Sequence, residues 1–170
     1  TKIQYDRFCR MEQWIETMGL HIPLRHCANS AGIMDASWVH QDMVRAGIIL
    51  YGLYPSEEMP REELDLLPVM SLTSHITYIK TVAGGEGISY GHTYVTKKET
   101  VIATVPVGYG DGYPRLLSNQ GCVLIHGRRV PIIGRVCMDQ FMVDITGLED
   151  VHEGDLVTLV GKDGDEEISM

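Results

Sequence analysis

A tyrosine set among small residues is the first candidate for chemistry in this chain. Tyr90 lies in the segment 87–94, Gly-Ile-Ser-Tyr-Gly-His-Thr-Tyr, just after a glycine-rich turn. Such a tyrosine could present its hydroxyl to a neighbouring surface and act there as an acid or a base. Because a free tyrosine titrates at about 10, a base of this kind needs cationic or hydrogen-bonding neighbours. The plainer alternative is a strand tyrosine with a packed ring and a solvated hydroxyl.

A second group of residues has the composition of an anion site. The segment 26–31 (His-Cys-Ala-Asn-Ser-Ala) ends one predicted strand, and the segment 45–48 (Arg-Ala-Gly-Ile) opens the next. In βα barrels, loops after the last strands commonly bind phosphate through backbone N–H groups and a hydroxyl. Ser30 could supply the hydroxyl, and Gly47 would let backbone amides approach closely. Arg45 is predicted to be partly buried, with acceptors for its guanidinium. A simple Asn-Ser turn into a helix is the alternative for Ser30.

The hydrophobic pattern of the first third of the chain predicts βα architecture. Apolar residues recur at helical spacing over 8–18, and Gly19 follows as a helix stop. A short strand over 22–28, a helix over 37–45 and a continuous apolar strand over 46–53 then predict a parallel arrangement covered on both faces.

The rest of the chain is patterned as a β domain. An acidic, proline-containing junction runs from Pro55 to Leu67, and helical periodicity is absent beyond it. Strands are predicted over 69–81, 99–107, 121–125, 128–133, 140–145 and 156–160. We therefore expect a mixed fold. Residues 1–62 form the last strands of an incomplete (β/α)₈ TIM-type barrel, which needs about 250 residues when complete. Residues 63–170 form a β-rich barrel or sandwich domain that is truncated at its end.

Composition narrows the class of protein. The net charge of −9 argues against nucleic acid or an anionic membrane surface as a partner. No apolar run approaches the roughly 18–20 residues that span a bilayer. The four cysteines have no C-x-x-C spacing, which is typical of reduced thiols and not of a disulfide framework or a zinc site. We expect a cytoplasmic protein with no metal.

Five motifs, in order, resemble those of bacterial alanine racemases, which are fold-type III enzymes dependent on pyridoxal 5′-phosphate (PLP). They are HCANSA (26–31), RAGIILYGLYPS (45–56), GISYGHTY (87–94), VPVGYGDGYPR (105–115) and PIIGRVCMDQFMVDI (131–145). The resemblance implies an isomerase that interconverts L- and D-alanine for peptidoglycan synthesis. It also implies a PLP-binding (β/α)₈ barrel joined to a mostly β domain, and a head-to-tail homodimer.

The resemblance assigns the anion-site residues to PLP. Ser30 would hold the PLP phosphate, helped by the backbone of Gly47 and Ile48. Arg45 would face the pyridine nitrogen, and His26 would support Arg45. Because arginine is always charged and only donates hydrogen bonds, it keeps that nitrogen unprotonated. The substrate carbanion is then short-lived, which suits racemisation better than transamination.

The resemblance also assigns the residues around the substrate. Tyr90 would be the acid/base on one face of Cα in the partner subunit's site, opposite the family's lysine, which also forms the Schiff base with PLP. Met138, through its backbone N–H, and Asp139 would lie beside the substrate carboxylate. The substrate access path would be lined by Tyr109, Arg115 and Arg135. The alternatives are a turn-flanking aromatic for Tyr109, surface salt bridges for the arginines and core packing for Met138.

Three further expectations concern scope. The chain begins without methionine and matches no position of the Schiff-base lysine, so we expect a piece of a longer protein that is inactive alone. A serine or serine/alanine racemase, including the membrane-anchored kind linked to vancomycin resistance, is an alternative that these residues do not separate. A non-catalytic β domain for binding or dimerisation is an alternative of another class.

Overall fold

The structure is a computed structural model that describes residues 1–59, 61–62 and 64–170. It divides into two compact units, Thr1–Val69 and Met70–Met170. The predicted domain boundary after residue 62 falls beside Glu63. Both Glu63 and Pro60, which belong to the predicted junction, lie outside the described residues.

The N-terminal unit is helical where it is regular. Helix α1 spans Lys2–Thr17, which confirms the first predicted helix and begins it earlier. Helix α2 spans Ser30–Asp35, and the Asn29 side chain caps it by accepting a hydrogen bond from the Gly32 N–H at 3.1 Å. Short 3₁₀ turns cover Ser37–Val39 and Ile48–Tyr51. A small core of buried Ala28, Ala36 and Val39 packs against Tyr5, Cys27 and Ile33.

Three predictions for this unit are wrong. In the described part of the unit, the segments 22–28 and 46–53 contain no strand. A parallel strand is stabilised by backbone bonds to its neighbours, and few such bonds form here, among them the Arg45 N–H to the Ala28 carbonyl at 2.9 Å. The predicted helix 37–45 stops after Val39, because Gln41 has a φ of 51°, which a right-handed helix excludes.

The C-terminal unit is a β structure, as predicted, and its strands pair antiparallel. One sheet has the strand order β1-β9-β6-β7-β8-β5-β2, and β10 pairs with β9. A separate two-stranded ribbon consists of β3 and β4. The strands are β1 Leu72–His75, β2 Tyr78–Val82, β3 Gly87–Ile88, β4 Tyr94–Val95, β5 Thr100–Val105, β6 Cys122–Ile125, β7 Arg128–Ile133, β8 Phe141–Asp144, β9 Leu156–Asp163 and β10 Glu166–Ile168.

Each strand segment predicted for this unit contains a strand. Five of the six segments hold one strand each, and the segment 69–81 holds two, β1 and β2. The ribbon strands β3 and β4 and the terminal strand β10 were not predicted, since two or three residues are too few to show an alternating pattern.

The core of the C-terminal unit lies beneath the central strands. Phe141 on β8 and Val130 on β7 are fully buried. The Tyr113 ring stacks on Phe141, with ring centroids 5.1 Å apart. These contacts fix the ends of the loops that join the central strands.

Two observations bear on the expected class of protein. Among residues 1–59, 61–62 and 64–170, no helix is long and apolar enough to cross a membrane. In the same part of the chain, no three histidine, cysteine or acidic side chains are placed to hold a metal ion.

Tyr113 makes the stability of the chain sensitive to high pH. Burial raises the pKa of Tyr113 to about 12 in the folded state, against about 10 in the unfolded chain. Between these values the folded state holds the proton more tightly. Its contribution is therefore complete below about pH 10 and is lost as the pH rises to about 12, at up to about 1.4 kcal/mol per pH unit.

Tyr113→Phe removes this titration. We expect the free energy of unfolding, measured by urea denaturation, to fall less steeply between pH 9.5 and pH 11.5 in this variant than in the unmodified chain. Tyr78→Phe, which alters an exposed strand tyrosine, is the control and should keep the original slope. Equal slopes for all three proteins would show that Tyr113 titrates normally.

Candidate active site

Tyr90 lies at the tip of the β3–β4 ribbon. Strand β3 pairs with β4 through only two residue pairs, and a 3₁₀ turn over Tyr90–His92 joins them. Gly91 has a φ of 70°, which allows the chain to reverse there. The Tyr90 side chain is 72% exposed, so the alternative of a packed strand tyrosine does not hold in this chain. Ile88 anchors the ribbon by packing with Ile102 and Ile133.

Four of the predicted site residues line one cleft. Tyr90, Tyr109, Met138 and Asp139 border a space of about 750 Å³. The cleft is completed by Ser89, Cys137, Gln140 and Met142. Tyr109 and Met138 are 47% and 54% exposed, so aromatic and thioether groups face the cleft from two loops. Core packing as the role of Met138 is therefore wrong for this chain.

Tyr109 and Met138 are brought together by direct backbone pairing. The Tyr109 N–H donates to the Cys137 carbonyl at 3.0 Å, and the Gly110 N–H donates to the Met138 carbonyl at 2.8 Å. Gly108 permits this approach, since a Cβ there would lie 2.2 Å from the Met138 carbonyl oxygen. The spacing between the two side chains is thus set by backbone contacts.

Arg115 and Arg135 line a second cleft, of about 480 Å³. Its other lining residues are Thr93, Leu116, Ser118 and Asn119. The Arg115 guanidinium carbon lies 5.9 Å from the centre of the Tyr109 ring, so a cation–π contact links this cleft to the Tyr90 cleft. Among the ion pairs formed by the described residues, none involves Arg115 or Arg135, which argues against the salt-bridge alternative.

The predicted anion-site residues of the N-terminal unit are joined by hydrogen bonds. Ser30 is buried, and its Oγ accepts a hydrogen bond from the Gly47 N–H at 3.0 Å. Arg45 Nη2 donates to the Cys27 carbonyl at 3.4 Å. Arg45 is nevertheless exposed, so its predicted partial burial is wrong. The predicted strands that would have enclosed its guanidinium are not formed in the described part of this unit.

For His26 and Ile48, the structure gives fewer contacts that bear on their predicted roles. His26 is exposed, and in the described part of the chain it forms no hydrogen bond with Arg45, whose guanidinium reaches the Cys27 carbonyl instead. Ile48 begins the 3₁₀ turn that follows Gly47. The support of Arg45 by His26 therefore stays a prediction.

This group of residues fits a phosphorylated ligand. Because Ser30 Oγ accepts the Gly47 N–H, the hydroxyl keeps its own hydrogen to donate. The group consists of a hydroxyl, backbone N–H groups, an imidazole and a guanidinium, and it contains no carboxylate. Such a donor set suits an anion with an attached acceptor ring nitrogen, as in PLP.

Several residues of these clefts were not identified from the sequence as site residues. Ser89, Cys137 and Gln140 flank predicted residues, and this adjacency was the only signal available for them. Asn119 contacts the Tyr90 turn from another loop. Elsewhere in the N-terminal unit, Arg25 pairs with Asp42 at 2.8 Å, and this hydrogen bond lowers the pKa of the Asp42 carboxyl below its usual value.

Sequence models of two domains match the chain. The alanine racemase C-terminal domain matches residues 69–170, and the alanine racemase N-terminal domain matches residues 1–55. The chain belongs to the alanine racemase family. An alanine racemase of Methanococcus maripaludis is 51% identical over 170 residues, which are 100% of this chain and 45% of that protein.

Solved structures of the family share the fold. Alanine racemase from Bacillus anthracis with bound L-Ala-P superposes with a TM-score of 0.89 at 44% identity, over 98% of this chain and 42% of that one. Alanine racemase from Bartonella henselae with covalently bound pyridoxal phosphate gives a TM-score of 0.75 at 34% identity, over 84% of this chain and 39% of that one. The chain thus spans less than half the length of these relatives.

Gly108 offers a test of how the cleft is built. Gly108→Ala would force the backbone at Met138 to move, and we expect it to destabilise the chain by about 2–3 kcal/mol. Gly147→Ala, at a φ of 82° with no atom within 4 Å of the added Cβ, should cost only about 1 kcal/mol.

Urea denaturation gives both values. Backbone NMR should also show shifts at Tyr109 and Met138 for Gly108→Ala alone. If the two variants cost the same and neither moves those resonances, the close approach does not hold the cleft together.

Proposed function

We propose that this chain is part of a PLP-dependent alanine racemase that interconverts L- and D-alanine in the cytoplasm for peptidoglycan synthesis. Residues 1–62 would supply the end of the PLP-binding (β/α)₈ barrel, in which the segments 22–28 and 46–53 would form strands only when paired with the rest of the barrel, and residues 63–170 supply the β-rich domain. The observation that carries the proposal is the exposed Tyr90 sharing one cleft with Tyr109, Met138 and Asp139 in a member of the alanine racemase family. Relatives named as alanine racemases at 51% identity support alanine over serine as the substrate.

PLP would be held by residues of the N-terminal unit. Ser30 Oγ and the backbone N–H of Ile48 would donate to its phosphate, and the Gly47 N–H, which donates to Ser30 Oγ, would orient that hydroxyl. Arg45 would donate to its pyridine nitrogen and keep that nitrogen unprotonated, and His26 would support Arg45. The Bartonella henselae relative, which is described with covalently bound pyridoxal phosphate, supports this assignment. When bound, PLP withdraws electrons from the amino acid and makes its α-hydrogen acidic.

Tyr90 moves the proton on one face of Cα. Its phenolate Oη takes the α-proton from one enantiomer, and its hydroxyl returns a proton to the same face in the reverse direction. The opposite face would be served by the family's lysine, which we expect to lie outside this chain. The Met138 N–H donates to the substrate carboxylate, with Asp139 beside it, so that Cα is oriented toward Tyr90.

The C-terminal unit reaches the site of a partner subunit. In a head-to-tail homodimer, Tyr90 serves the partner's PLP. Tyr109, Arg115 and Arg135 line the path by which alanine enters, where two cations attract the substrate carboxylate. The exposure of Tyr90, Tyr109 and Met138 on one side of the unit supports this arrangement, because an intersubunit site requires them to be accessible.

Tyr90→Phe in the full-length protein tests the role of the tyrosine. Since phenylalanine carries no proton to transfer, kcat for alanine should fall by about 10²- to 10⁴-fold. The visible absorbance of bound PLP and the melting temperature should stay as in the unmodified enzyme. Tyr78→Phe is the matched control for removal of an exposed hydroxyl. Activity within threefold of the unmodified enzyme for Tyr90→Phe would refute the proposal.

The 170-residue chain by itself should be inactive. We expect the family's lysine to lie outside these 170 residues, so that one face of Cα would have no acid/base. Racemisation followed by chiral chromatography, with PLP added, should not exceed the rate of PLP in buffer. Racemisation above that rate, abolished by Tyr90→Phe, would contradict the two-base account.

A further inference from the structure

The Tyr90 turn is too small to hold its own position. Its two strands make only two residue pairs, and the tyrosine side chain is largely in solvent. A catalytic group displaced by about 1 Å can lose about 10²-fold in rate, so something outside the ribbon must fix the turn. Two sets of hydrogen bonds connect it to the loop between β7 and β8, directly before Tyr90 and through Asn119 after it.

The bond before Tyr90 comes from Ser89. Its Oγ donates to the Arg135 carbonyl at 2.8 Å and lies 3.4 Å from Cys137 Sγ. Gly134 lets the two backbones approach, since a Cβ on Gly134 would lie 2.8 Å from both the Ile88 carbonyl oxygen and Ser89 Cβ. This bond spans 46 positions of sequence and fixes the residue next to Tyr90.

The Ser89 backbone is strained. Its φ of 62° and ψ of −174° lie in a region that residues other than glycine almost never occupy. Such a conformation persists only where the surroundings hold it, and the Ser89 hydroxyl supplies the direct side-chain bond that does so. The conformation turns the chain so that the next residue, Tyr90, faces the cleft it shares with Tyr109 and Met138.

The bonds after Tyr90 pass through Asn119. Its Oδ1 accepts the Gly134 N–H at 2.6 Å, and its Nδ2 donates to Thr93 Oγ1 at 3.1 Å. Thr93 is the residue between the Tyr90 turn and β4. The 134–135 backbone therefore holds both ends of the turn, directly through Ser89 and indirectly through Asn119.

We infer that Ser89 is a positioning residue for Tyr90, acting through its hydrogen bond to the Arg135 carbonyl, with Asn119 as the second anchor. The inference rests on the proposed function, because it assigns Ser89 a role in proton transfer by Tyr90. Ser89 need not contact the substrate in this role. It affects the reaction only by fixing the position and orientation of Tyr90.

The experiment compares Ser89→Ala and Ser89→Gly in the full-length enzyme. Alanine removes the hydrogen bond and keeps the backbone strain, whereas glycine removes the bond and relieves the strain. We expect kcat/KM to fall about 10- to 100-fold in both variants. Ser89→Gly should melt at a higher temperature than Ser89→Ala despite this loss. Thr77→Ala, which deletes another hydroxyl-to-carbonyl bond of the same unit outside the cleft, should keep full activity.

Isotope effects separate positioning from general damage. With α-deuterated alanine, the primary isotope effect should rise for the enantiomer whose proton Tyr90 removes and fall toward one for the other enantiomer. Hydrogen exchange of amides in residues 87–95 should quicken in Ser89→Ala. Asn119→Asp, which keeps the acceptor and loses the donor to Thr93, should quicken the same amides.

The outcomes are distinguishable. Unchanged kcat/KM in Ser89→Ala, or a loss with unchanged isotope effects and unchanged exchange at residues 87–95, would overturn the positioning role while leaving the function of Tyr90 intact. If Tyr90→Phe is itself as active as the unmodified enzyme, the proposed function fails, and the inference about Ser89 fails with it.

Discussion

The site in the C-terminal unit depends on one stretch of backbone, residues 134–138, between strands β7 and β8. Its Arg135 carbonyl accepts the Ser89 hydroxyl, and its Cys137 and Met138 carbonyls accept the N–H groups of Tyr109 and Gly110. The cleft residues from three separate loops are therefore positioned by one short segment. If this segment moved, the positions of Tyr90, Tyr109 and Met138 relative to one another would all change.

The segment can serve as a frame because both its ends are buried in the sheet. Ile132 and Ile133 close β7, and Phe141 opens β8, with exposed fractions of 2% or less. The Val136 N–H also donates to Ser118 Oγ at 3.0 Å, which adds a bond from a further loop. The core thus fixes the segment, and the segment fixes side chains that themselves remain exposed. The stability of the core and the geometry of the cleft are therefore connected through backbone carbonyls.

The secondary structure of the C-terminal unit could be predicted from the sequence better than that of the N-terminal unit, for a physical reason. Each strand segment predicted for the C-terminal unit contains a strand, because these segments alternate or fill a core within this chain. The strands predicted over 22–28 and 46–53 were wrong, since parallel strands depend on neighbours and few backbone partners exist for them here. The two segments have the apolar sequence pattern of strands, but neighbouring strands to pair with them are not formed in the described part of this unit.

Residues of the candidate site could be predicted from the sequence, but the residues that hold them in position could not. Tyr90, Tyr109, Met138 and Asp139 were identified by motif and share one cleft. Ser89 and Asn119 were not identified, because their side-chain bonds join loop positions 46 and 15 residues apart that only the folded structure brings together. The positive φ of Ser89 had no sequence signature, whereas that of Asn119 is one that asparagine adopts more readily than most residues.

The central claim is that Tyr90 acts in the site of the partner subunit, and a hybrid dimer tests it most directly. One full-length subunit carries Tyr90→Phe and the other carries Arg45→Glu, so that each homodimer is inactive. If Tyr90 acts across the interface, each hybrid has one intact site, and random mixing should restore about one quarter of the unmodified activity. If Tyr90 acts within its own subunit, every site in every dimer lacks one group and no activity returns, which would contradict the account.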